Sequence, residues 1–365
     1  MTDTWLSGDH MIPLKPVDHR EPSEIESHDG PDEMPEFGPL IDGFGRELKN
    51  LRVSVTDRCN FRCRYCMPEE GLVWLGRNDI LSYEEIERLA RLFVRLGIEE
   101  VRLTGGEPLV RADLPTLIEK LAPIEGLKSL SLTTNGFTLK DMARPLVEAG
   151  LRRINVSLDT PVQEKFLHIT RRDALPQVLA GLEECEKYPQ LRPIKVNAVA
   201  MRNFSEEDVL AFAELARRKP YIVRWIEFMP LDAEQQWDRQ DVLTGAEIRS
   251  IIETRYPLVP VSDDRIATAR RYAFADGAGE VGFINPVSEP FCATCDRVRL
   301  TADGQFRTCL FSRWETDLRT PLRDGSSDAE IEHIIRAAAW RKELKHQIND
   351  AGFQRATRSM SQVGG

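Results

Sequence analysis

Three cysteines, Cys59, Cys63 and Cys66, lie within eight residues, directly after an apolar-alternating segment that begins at Leu51. Thiolates at such short spacings bind iron–sulfur clusters or zinc. A [4Fe–4S] cluster has four irons, so three cysteine ligands would leave one iron open to a substrate or cofactor. A structural zinc site would need a fourth Cys or His, and none lies within twenty residues on either side. The spacing therefore favours an open cluster over a zinc knuckle.

A second group of three thiols, Cys292, Cys295 and Cys309, lies near the other end of the chain, with no His between its first and last members. A zinc site completed by an oxygen ligand is the alternative to a second open cluster. Arg297 and Arg299 alternate on the predicted strand that leaves Cys295, so both project to one side and place permanent cations beside the metal. A structural zinc site does not explain those cations.

The segment Gly105-Gly106-Glu107-Pro108 follows a predicted strand at 100–104. Residues without Cβ at a strand end allow a ligand to approach the backbone closely. For an isolated Gly-Gly, an ordinary strand-to-helix turn is the alternative. The segment comes one strand–helix unit after the first cysteine group, which would place it beside the first metal site.

The elements that must position these residues alternate between short β-rich runs and helical patterns. One such pattern runs from Ser82 to Leu96 and begins with a capping box at Ser82 and Glu85. Strand–helix alternation predicts an α/β fold with a parallel sheet. Candidate functional residues at successive strand ends favour an incomplete (βα)6 TIM-type barrel over an open sheet. The predicted strands are 51–56, 100–104, 128–133, 152–158, 194–200 and 221–228.

Three regions are predicted along the 365 residues: an acidic disordered extension at 1–45, the partial barrel at 46–256, and a C-terminal α+β region at 257–365 that covers the open side of the barrel. The last region is expected to hold antiparallel pieces, with turns at Asp276-Gly277 and Asp303-Gly304, and a final helix around 327–346.

Charge and composition narrow the function classes. The net charge is −10, but the extension carries eleven Asp and Glu against Lys15 and Arg20, so the remainder is close to neutral. No nucleic-acid surface and no basic membrane patch is therefore expected. Without a secretory pattern or a long apolar run, the chain is predicted to be cytoplasmic, where thiols are better explained by metal than by disulfides.

The first cysteine group together with Gly105-Gly106-Glu107-Pro108 resembles the radical S-adenosylmethionine (SAM) superfamily. The resemblance implies that the amino and carboxylate groups of SAM chelate the open iron of a [4Fe–4S] cluster. It also implies that SAM is cleaved to a 5′-deoxyadenosyl radical, which takes a hydrogen atom from a substrate. The residues that match the superfamily's SAM contacts are Tyr65, Gly106, Glu107, Ser157 and Met229.

With Cys-x-x-Cys-x-Arg-x-Arg at the second cysteine group, the chain is similar to the GTP 3′,8-cyclase family, the lyases that begin molybdenum cofactor (molybdopterin) biosynthesis. The resemblance implies a second [4Fe–4S] cluster that binds guanine, and a product, (8S)-3′,8-cyclo-7,8-dihydroguanosine 5′-triphosphate. It assigns no catalytic residue. The positions that match GTP contacts are Arg52, Arg102, Thr133, Lys195, Arg224, Arg297, Val298 and Arg299.

The sequence has no G-x-x-x-x-G-K-[ST] loop to bind a triphosphate, so cations on separate strands must do so, and we expect them to meet at a shared barrel rim. The resemblance further implies that the terminal Gly364-Gly365 reaches into the active site, whereas composition alone predicts a frayed tail. Arg171 stands where the family has Gly, which could alter a loop at the rim.

The partners implied by the resemblance are GTP, SAM, an electron donor such as flavodoxin or ferredoxin, and the next pathway enzyme, cyclic pyranopterin monophosphate synthase. The sequence leaves the oligomeric state open, with a homodimer as one option. Two alternative functions stay open at this point: a radical SAM peptide-modifying enzyme, and a zinc-stabilised binding module in which both cysteine groups are structural.

Overall fold

Six parallel strands form the centre of the molecule. The structure, a computed structural model, describes residues 33–261, 268–356 and 358–364. Each strand pairs in parallel with the next one along the chain. Residues of β1 and of β6 line one cavity, so the strands curve around it as the staves of a partial barrel. The strands are β1 (Asn50–Ser54), β2 (Glu100–Thr104), β3 (Ser129–Thr134), β4 (Arg153–Ser157), β5 (Ile194–Ala200) and β6 (Tyr221–Glu227).

Helices follow the barrel strands and cover their outer faces. Four of them begin with a capping box, in which a hydroxyl and a glutamate or glutamine satisfy amides of the first turn. The boxes start at Ser82, Thr244, Ser327 and Ser359. The final long helix stops at Trp340, six residues before the predicted end. The helices are α1 (Tyr83–Arg95), α2 (Leu114–Leu121), α3 (Leu139–Glu148), α4 (Gln163–Thr170), α5 (Leu175–Glu186), α6 (Val209–Arg218), α7 (Gly245–Glu253), α8 (Arg319–Arg323), α9 (Asp328–Trp340) and α10 (Met360–Val363).

The C-terminal strands extend the barrel sheet at both edges instead of forming a separate antiparallel layer. One strand pairs in parallel with β6 and another pairs in parallel with β1, while the remaining four add antiparallel ribbons outside them. The predicted antiparallel character is therefore only partly right. The C-terminal strands are β7 (Leu258–Pro260), β8 (Arg270–Phe274), β9 (Glu280–Ile284), β10 (Arg297–Leu300), β11 (Gln305–Arg307) and β12 (Thr316–Asp317).

Alternation along the strands separates the apolar core from a polar barrel interior. On β1, Leu51 and Val53 pack under the helices in the main hydrophobic core, and Arg52 between them faces the interior. The register places Arg52 beside Arg102 of β2 and beside Arg299 of β10. Cations from separate strands thus become direct neighbours inside the barrel.

The segment before β1 is packed against the barrel, which corrects part of the predicted extension. Leu40 is buried in the main core, and its amide and carbonyl bond to Leu96 and Leu48. Residues 40–45 are therefore ordered because an apolar side chain is available to anchor them. Residues 1–32 of the predicted extension lie outside the described residues. No helix among the described residues is long and apolar enough to cross a membrane.

Candidate active site

Both cysteine groups line one cavity of about 300 Å³, the upper cavity. The first group follows the carboxyl end of β1, whereas Cys295 precedes β10 and lies beside the amino end of β1, because Asn50 pairs with Arg297 in parallel. A second cavity of about 490 Å³, the lower cavity, lies deeper in the barrel. Arg52 and Arg297 line both cavities, so the two spaces adjoin. This arrangement puts the two predicted metal sites and the predicted cations around one continuous interior.

The first cysteine group lies on the loop after β1. Cys59, Cys63 and Cys66 are free thiols of intermediate exposure, and the Cys66 amide donates to the Cys63 carbonyl at 2.9 Å. Burial raises the pKa of all three thiols, to about 12 for Cys59 and about 11 for Cys66. A buried group that disfavours its own charge needs a compensating cation, and a metal centre would supply one. These thiols fit a metal–thiolate centre.

The glycines at the end of β2 serve the packing of this loop, which is a second reason for glycine besides the predicted approach of a ligand. A Cβ on Gly105 would come within 2.5 Å of the Thr56 carbonyl oxygen, and one on Gly106 within 2.4 Å of the Arg58 carbonyl oxygen. Both positions exclude any side chain because the backbone leading to Cys59 crosses them. Gly106 also lines the cavity, but close backbone packing is what demands glycine there.

All five predicted SAM contacts line the upper cavity: Tyr65, Gly106, Glu107, Ser157 and Met229. Burial raises the pKa of Glu107 to about 7, although its carboxylate accepts bonds from the Thr134 hydroxyl (2.7 Å) and the Asn135 amide (2.6 Å). Those donors hold the carboxylate in place at the cavity wall. In this position the Glu107 carboxylate can accept hydrogen bonds from the amino group of a ligand.

Asp159 is a cavity residue that the sequence analysis did not assign. It accepts a hydrogen bond from the Tyr65 hydroxyl at 2.7 Å and one from the Val199 amide at 2.9 Å, and burial raises its pKa to about 6. Its position two residues after Ser157 on the same strand end was the available signal. With Glu107, it makes the surroundings of the first cysteine group acidic.

The second cysteine group surrounds the start of β10. Burial raises the pKa of Cys309 to about 11 and also raises that of Cys292. At Cys295 burial acts in the same direction, but Lys342 and Arg297 outweigh it and lower the pKa of the thiol to about 6. Arg297 donates to the Cys295 sulfur at 3.3 Å. Cations on the protein therefore favour the thiolate form of Cys295.

Lys342 was also missed by the sequence analysis. It is 2% exposed, and its ammonium donates to the Arg297 carbonyl (2.9 Å) and to the Thr308 carbonyl. Helix α9 ends at Trp340, so Lys342 lies beyond the helix, whereas the predicted helix extended to residue 346. Nothing in the local sequence distinguished this lysine from a surface residue.

No three Cys, His, Asp or Glu side chains within the described ranges meet closely enough to hold a single metal ion. The fit of the thiols to clusters therefore rests on their type, their burial and their shared cavity. Each group offers three thiols and faces open space, which suits a cluster with one iron left for a ligand.

The predicted cations converge, but inside the barrel and not at its rim. Arg52, Arg102, Lys195 and Arg224 lie within their strands and line the lower cavity. The rim expectation failed because the four residues face inward two to five residues before their strands end. Within the described part of the chain, no carboxylate lies within salt-bridge distance of these four or of Arg299; Arg224 instead donates to Asn155 (2.7 Å) and Asn197 (2.9 Å).

Crowding of like charges is visible in the pKa values of these cations. Burial, followed by neighbouring cations, lowers the pKa of Lys195 to about 7 and that of Arg224 to about 9. Burial and Arg299 lower the pKa of Arg52 well below its usual value. Buried cations without anionic partners are costly, so the lower cavity is suited to a polyanionic ligand that would repay their desolvation.

Thr133 and Val298, two other predicted GTP contacts, differ in whether their side chains line a cavity. Thr133 lines the upper cavity, and its hydroxyl accepts from Asn155 at 3.4 Å. The Val298 side chain is wholly buried in the hydrophobic core, because it points away from the face that carries Arg297 and Arg299. Its side chain therefore lines neither cavity, and only its backbone lies between Arg297 and Arg299.

The chain terminus is folded into the barrel, not frayed. Gly364 has a φ of +82°, and a Cβ there would lie 2.3 Å from the Thr104 hydroxyl of β2. Its carbonyl accepts a hydrogen bond from Arg299. Gly364 thus occupies the barrel interior beside a predicted GTP contact, while Gly365 lies outside the described residues.

Arg171, at the family's Gly position, ends α4 with a left-handed φ of +54°. This conformation explains a preference for glycine there. The guanidinium donates to the Arg62 carbonyl (3.2 Å) and the Met67 carbonyl (3.1 Å), on either side of Cys63 and Cys66. It touches no cysteine but supports the loop that carries them.

Two family models match adjoining parts of the chain. The Radical SAM superfamily model matches residues 53–216, and the Molybdenum Cofactor Synthesis C model matches residues 221–348. Among solved structures, Streptococcus suis SuiB bound to S-adenosylmethionine aligns over 89% of this chain and 75% of its own, with a TM-score of 0.53 at 13% identity. That likeness supports the fold alone.

Curated relatives cover almost the whole chain. A GTP 3′,8-cyclase of Mycobacterium sp. (strain KMS) is 48% identical over 91% of this chain and 95% of its own length. One of Streptomyces coelicolor is 46% identical over 89% and 96%. The first alignment is longer than residues 46–365, so the similarity reaches into the predicted extension. The chain belongs to the GTP 3′,8-cyclase family of the radical SAM superfamily.

Proposed function

We propose that this chain is a GTP 3′,8-cyclase, a lyase that joins C3′ of the ribose to C8 of the guanine within one GTP molecule. The observation that carries the proposal is the single barrel interior, lined by three thiols from each cysteine group and by cations that have no carboxylate within salt-bridge distance among the described residues. The family to which the chain belongs has this activity in its curated relatives.

The lower cavity supports a triphosphate as the anion. A nucleoside triphosphate brings roughly four negative charges at neutral pH. Arg52, Arg102, Lys195 and Arg224 supply cations from four strands, and Arg297 adds a fifth at the junction of the two cavities. Guanidinium groups suit phosphate oxygens because they donate in a planar fork. In this pose the triphosphate lies deep in the barrel and the nucleoside points toward the cysteine groups.

Cys59, Cys63 and Cys66 would hold a [4Fe–4S] cluster whose open iron takes SAM, with Glu107 placed for the SAM amino group. When bound, that cluster and SAM supply a 5′-deoxyadenosyl radical that can abstract hydrogen from C3′. Tyr65 and Asp159, held together by their hydrogen bond, form one wall of the SAM space. The chain's own task is to orient the two ligands and to exclude water from the space between them.

Cys292, Cys295 and Cys309 would hold a second [4Fe–4S] cluster whose open iron receives the guanine. Lys342 and Arg297 stabilise its thiolates, and Arg299 links this side of the cavity to the C-terminal Gly364. The tail closes the interior near β1 and β2, where Gly364 lies against Thr104 and Ser54. We propose that this closure places the ribose against the radical source.

The remaining partners follow from this chemistry. A strongly reducing one-electron donor, such as flavodoxin or ferredoxin, would reduce the first cluster, and the cyclised triphosphate would pass to cyclic pyranopterin monophosphate synthase. Such oxygen-sensitive, reduced clusters fit a cytoplasmic enzyme. A homodimer is compatible with these requirements.

The proposal is tested by anaerobic incubation of the iron-loaded protein with GTP, SAM and a reductant. We expect about eight irons per chain and formation of the cyclised dihydroguanosine triphosphate. The matched control is Cys185→Ala, which removes a thiol buried in the core away from both cavities and should change neither result. Stoichiometric zinc without labile sulfide would contradict the proposal and favour a zinc-stabilised module. Clusters that cleave SAM without using GTP would favour a radical SAM enzyme acting on another substrate, such as a peptide.

A further inference from the structure

Arg46, in the segment before β1, joins three parts of the chain at the second cysteine group. Its Nη1 donates to the Cys292 carbonyl (2.7 Å) and to the Leu344 carbonyl (2.8 Å), and its Nη2 donates to the Glu343 carbonyl (2.7 Å). Its Nε donates to the carboxylate of Asp42. One guanidinium therefore connects the N-terminal segment and the segment after α9 to the first residue of the cysteine group.

The Cys292 carbonyl is part of the turn that carries two of the three thiols. It also accepts a hydrogen bond from the Cys295 amide at 3.0 Å, which closes the short 3-10 turn Cys292–Thr294 and fixes the separation of the two cysteines. A carbonyl oxygen has two lone pairs, so the amide and the guanidinium can bond to it at the same time. Arg46 thus completes the hydrogen bonding of this turn.

The segment directly after α9 also contacts the loop that carries the third thiol. Lys342 donates to the Thr308 carbonyl, and the Thr308 hydroxyl donates to the Glu343 carboxylate at 2.7 Å. Thr308 immediately precedes Cys309. The same segment is therefore bonded to one cysteine loop directly and to the other through Arg46, so it links the two loops that supply the thiols.

Burial and pairing make Arg46 a source of position at these loops and not a source of charge. Its side chain is 9% exposed, and that of Asp42 is wholly buried. The Asp42 carboxylate also accepts from the amides of Phe44 (2.9 Å) and Arg46 (3.0 Å), which hold the carboxylate in place. The pair carries no net charge. A buried network of this kind stabilises one arrangement and penalises its partial disruption.

We propose that Arg46, oriented by Asp42, is a positioning residue for the second cluster. It holds the turn at Cys292 against the segment after α9, so that the two loops present their thiols in one fixed arrangement. The inference rests on the proposed function, since it requires the second cysteine group to hold a cluster. Groups that orient the ligands of a metal site contribute strongly to its affinity for the metal.

The test measures how firmly each cluster is held. Electron paramagnetic resonance spectra are recorded on reduced samples of the loaded protein during exposure to an iron chelator. The signal that is missing in Cys295→Ser identifies the second cluster, and the signal that changes when SAM is added identifies the first.

Two variants and one matched control are compared with the parent protein. Arg46→Lys keeps a positive charge beside Asp42 but lacks the planar fork that reaches three carbonyls at once. Asp42→Asn keeps the guanidinium and removes its charged partner. The control is Arg323→Lys, since Arg323 likewise combines a carboxylate, that of Glu85, with two backbone carbonyls but lines neither cavity.

We expect the second-cluster signal to decay about 10-fold faster in Arg46→Lys than in the parent, because loss of a group that orients metal ligands commonly has an effect of this size. The decay should be accelerated less in Asp42→Asn. The first-cluster signal should decay at the parental rate in both variants, and Arg323→Lys should match the parent for both clusters.

Equal acceleration for both clusters, or failure of both Arg46→Lys and Asp42→Asn to fold, would show a general structural role and overturn the inference. Parental decay of the second cluster in both variants, in a protein that cyclises GTP, would overturn this inference alone. A parent without any signal that Cys295→Ser removes would overturn the proposed function and this inference with it.

Discussion

Cys63 and Cys295 each occupy the middle of a three-thiol group, yet the pKa of Cys63 is held well above its usual value while that of Cys295 falls to about 6. Burial by itself raises the pKa of both thiols. The difference comes from the neighbours: Asp159 opposes charge on Cys63, whereas Lys342 and Arg297 favour charge on Cys295. These two thiols thus lie beside charges of opposite sign, although the pKa values of Cys292 and Cys309 in the second group are raised by burial.

This difference bears on the separate tasks proposed for the two groups. Nearby cations stabilise the reduced state of a cluster and raise its potential, while nearby carboxylates lower it. The first cluster is therefore expected to be the more strongly reducing of the two, as its proposed role in cleaving SAM requires. The second is surrounded by the cations that would also meet an anionic substrate.

The largest effects should come from removing one thiol from each group. Cys63→Ser should abolish both SAM cleavage and cyclisation, whereas Cys295→Ser should abolish cyclisation and leave part of the SAM cleavage, because only the first group holds the radical source. Anaerobic assays of 5′-deoxyadenosine and of the cyclised nucleotide measure the two activities. The separation of tasks would be refuted if both variants lost SAM cleavage equally.

The second-largest effect is expected from the cations that line the lower cavity. Arg224→Met should weaken GTP binding by about 10- to 100-fold, since a hydrogen bond to a charged group contributes roughly 1.5–3 kcal/mol. Without GTP, the stability of the variant should stay within about 1 kcal/mol of the parent, because removal of a buried cation is offset by loss of its hydrogen bonds to Asn155 and Asn197. Calorimetric titration and thermal unfolding with and without GTP check both points. Unchanged GTP affinity would place the triphosphate elsewhere.

A smaller effect is expected when a positive charge beside the second cysteine group is removed. Lys342→Met removes the buried ammonium beside Cys295 and is expected to make the potential of the second cluster more negative, with a loss of about 1–3 kcal/mol in stability from the two unpaired carbonyls. The exposed Lys345→Met serves as the matched control. A redox titration that finds the second cluster unshifted in Lys342→Met would show that local charge does not set the contrast.

The smallest effect is expected at Arg171, which acts on the first group only. Arg171→Gly relieves a left-handed backbone, worth about 1 kcal/mol, but removes two hydrogen bonds to the cysteine loop. Global stability should change by less than about 1 kcal/mol, while iron in the first group should be lost faster to a chelator. Asn203→Gly, at another left-handed residue away from the loop, is the control. Equal iron loss from all three proteins would remove Arg171 from this role.

The sequence predicted the six barrel strands closely, because each combines an apolar outer face with a turn signal at its end. It also located both cysteine groups, whose spacing is local. It did not predict that the cations lie inside the barrel and not at its rim, since a strand pattern shows which residues alternate but not how far each lies from the mouth. Val298 shows the same limit: its neighbours on β10 face the cavity, whereas its own side chain is buried in the core.

Contacts between distant parts of the chain were beyond the sequence. Lys342 reaches Thr308 and Arg297 only because α9 ends where it does, and Asp159 meets Tyr65 only across the barrel mouth. Gly105 and Gly106 were recognised, but their close contact with the backbone of Thr56 and Arg58 was not. Each of these depends on tertiary packing that no local pattern encodes.

The most direct test of two open clusters with separate ligands is electron paramagnetic resonance of the reduced protein, with SAM and GTP added one at a time. SAM should perturb only the signal that is missing in Cys63→Ser, and GTP only the signal that is missing in Cys295→Ser. If both ligands perturbed the same signal, or if GTP perturbed neither, the division of the barrel interior into a radical source and a substrate site would be wrong.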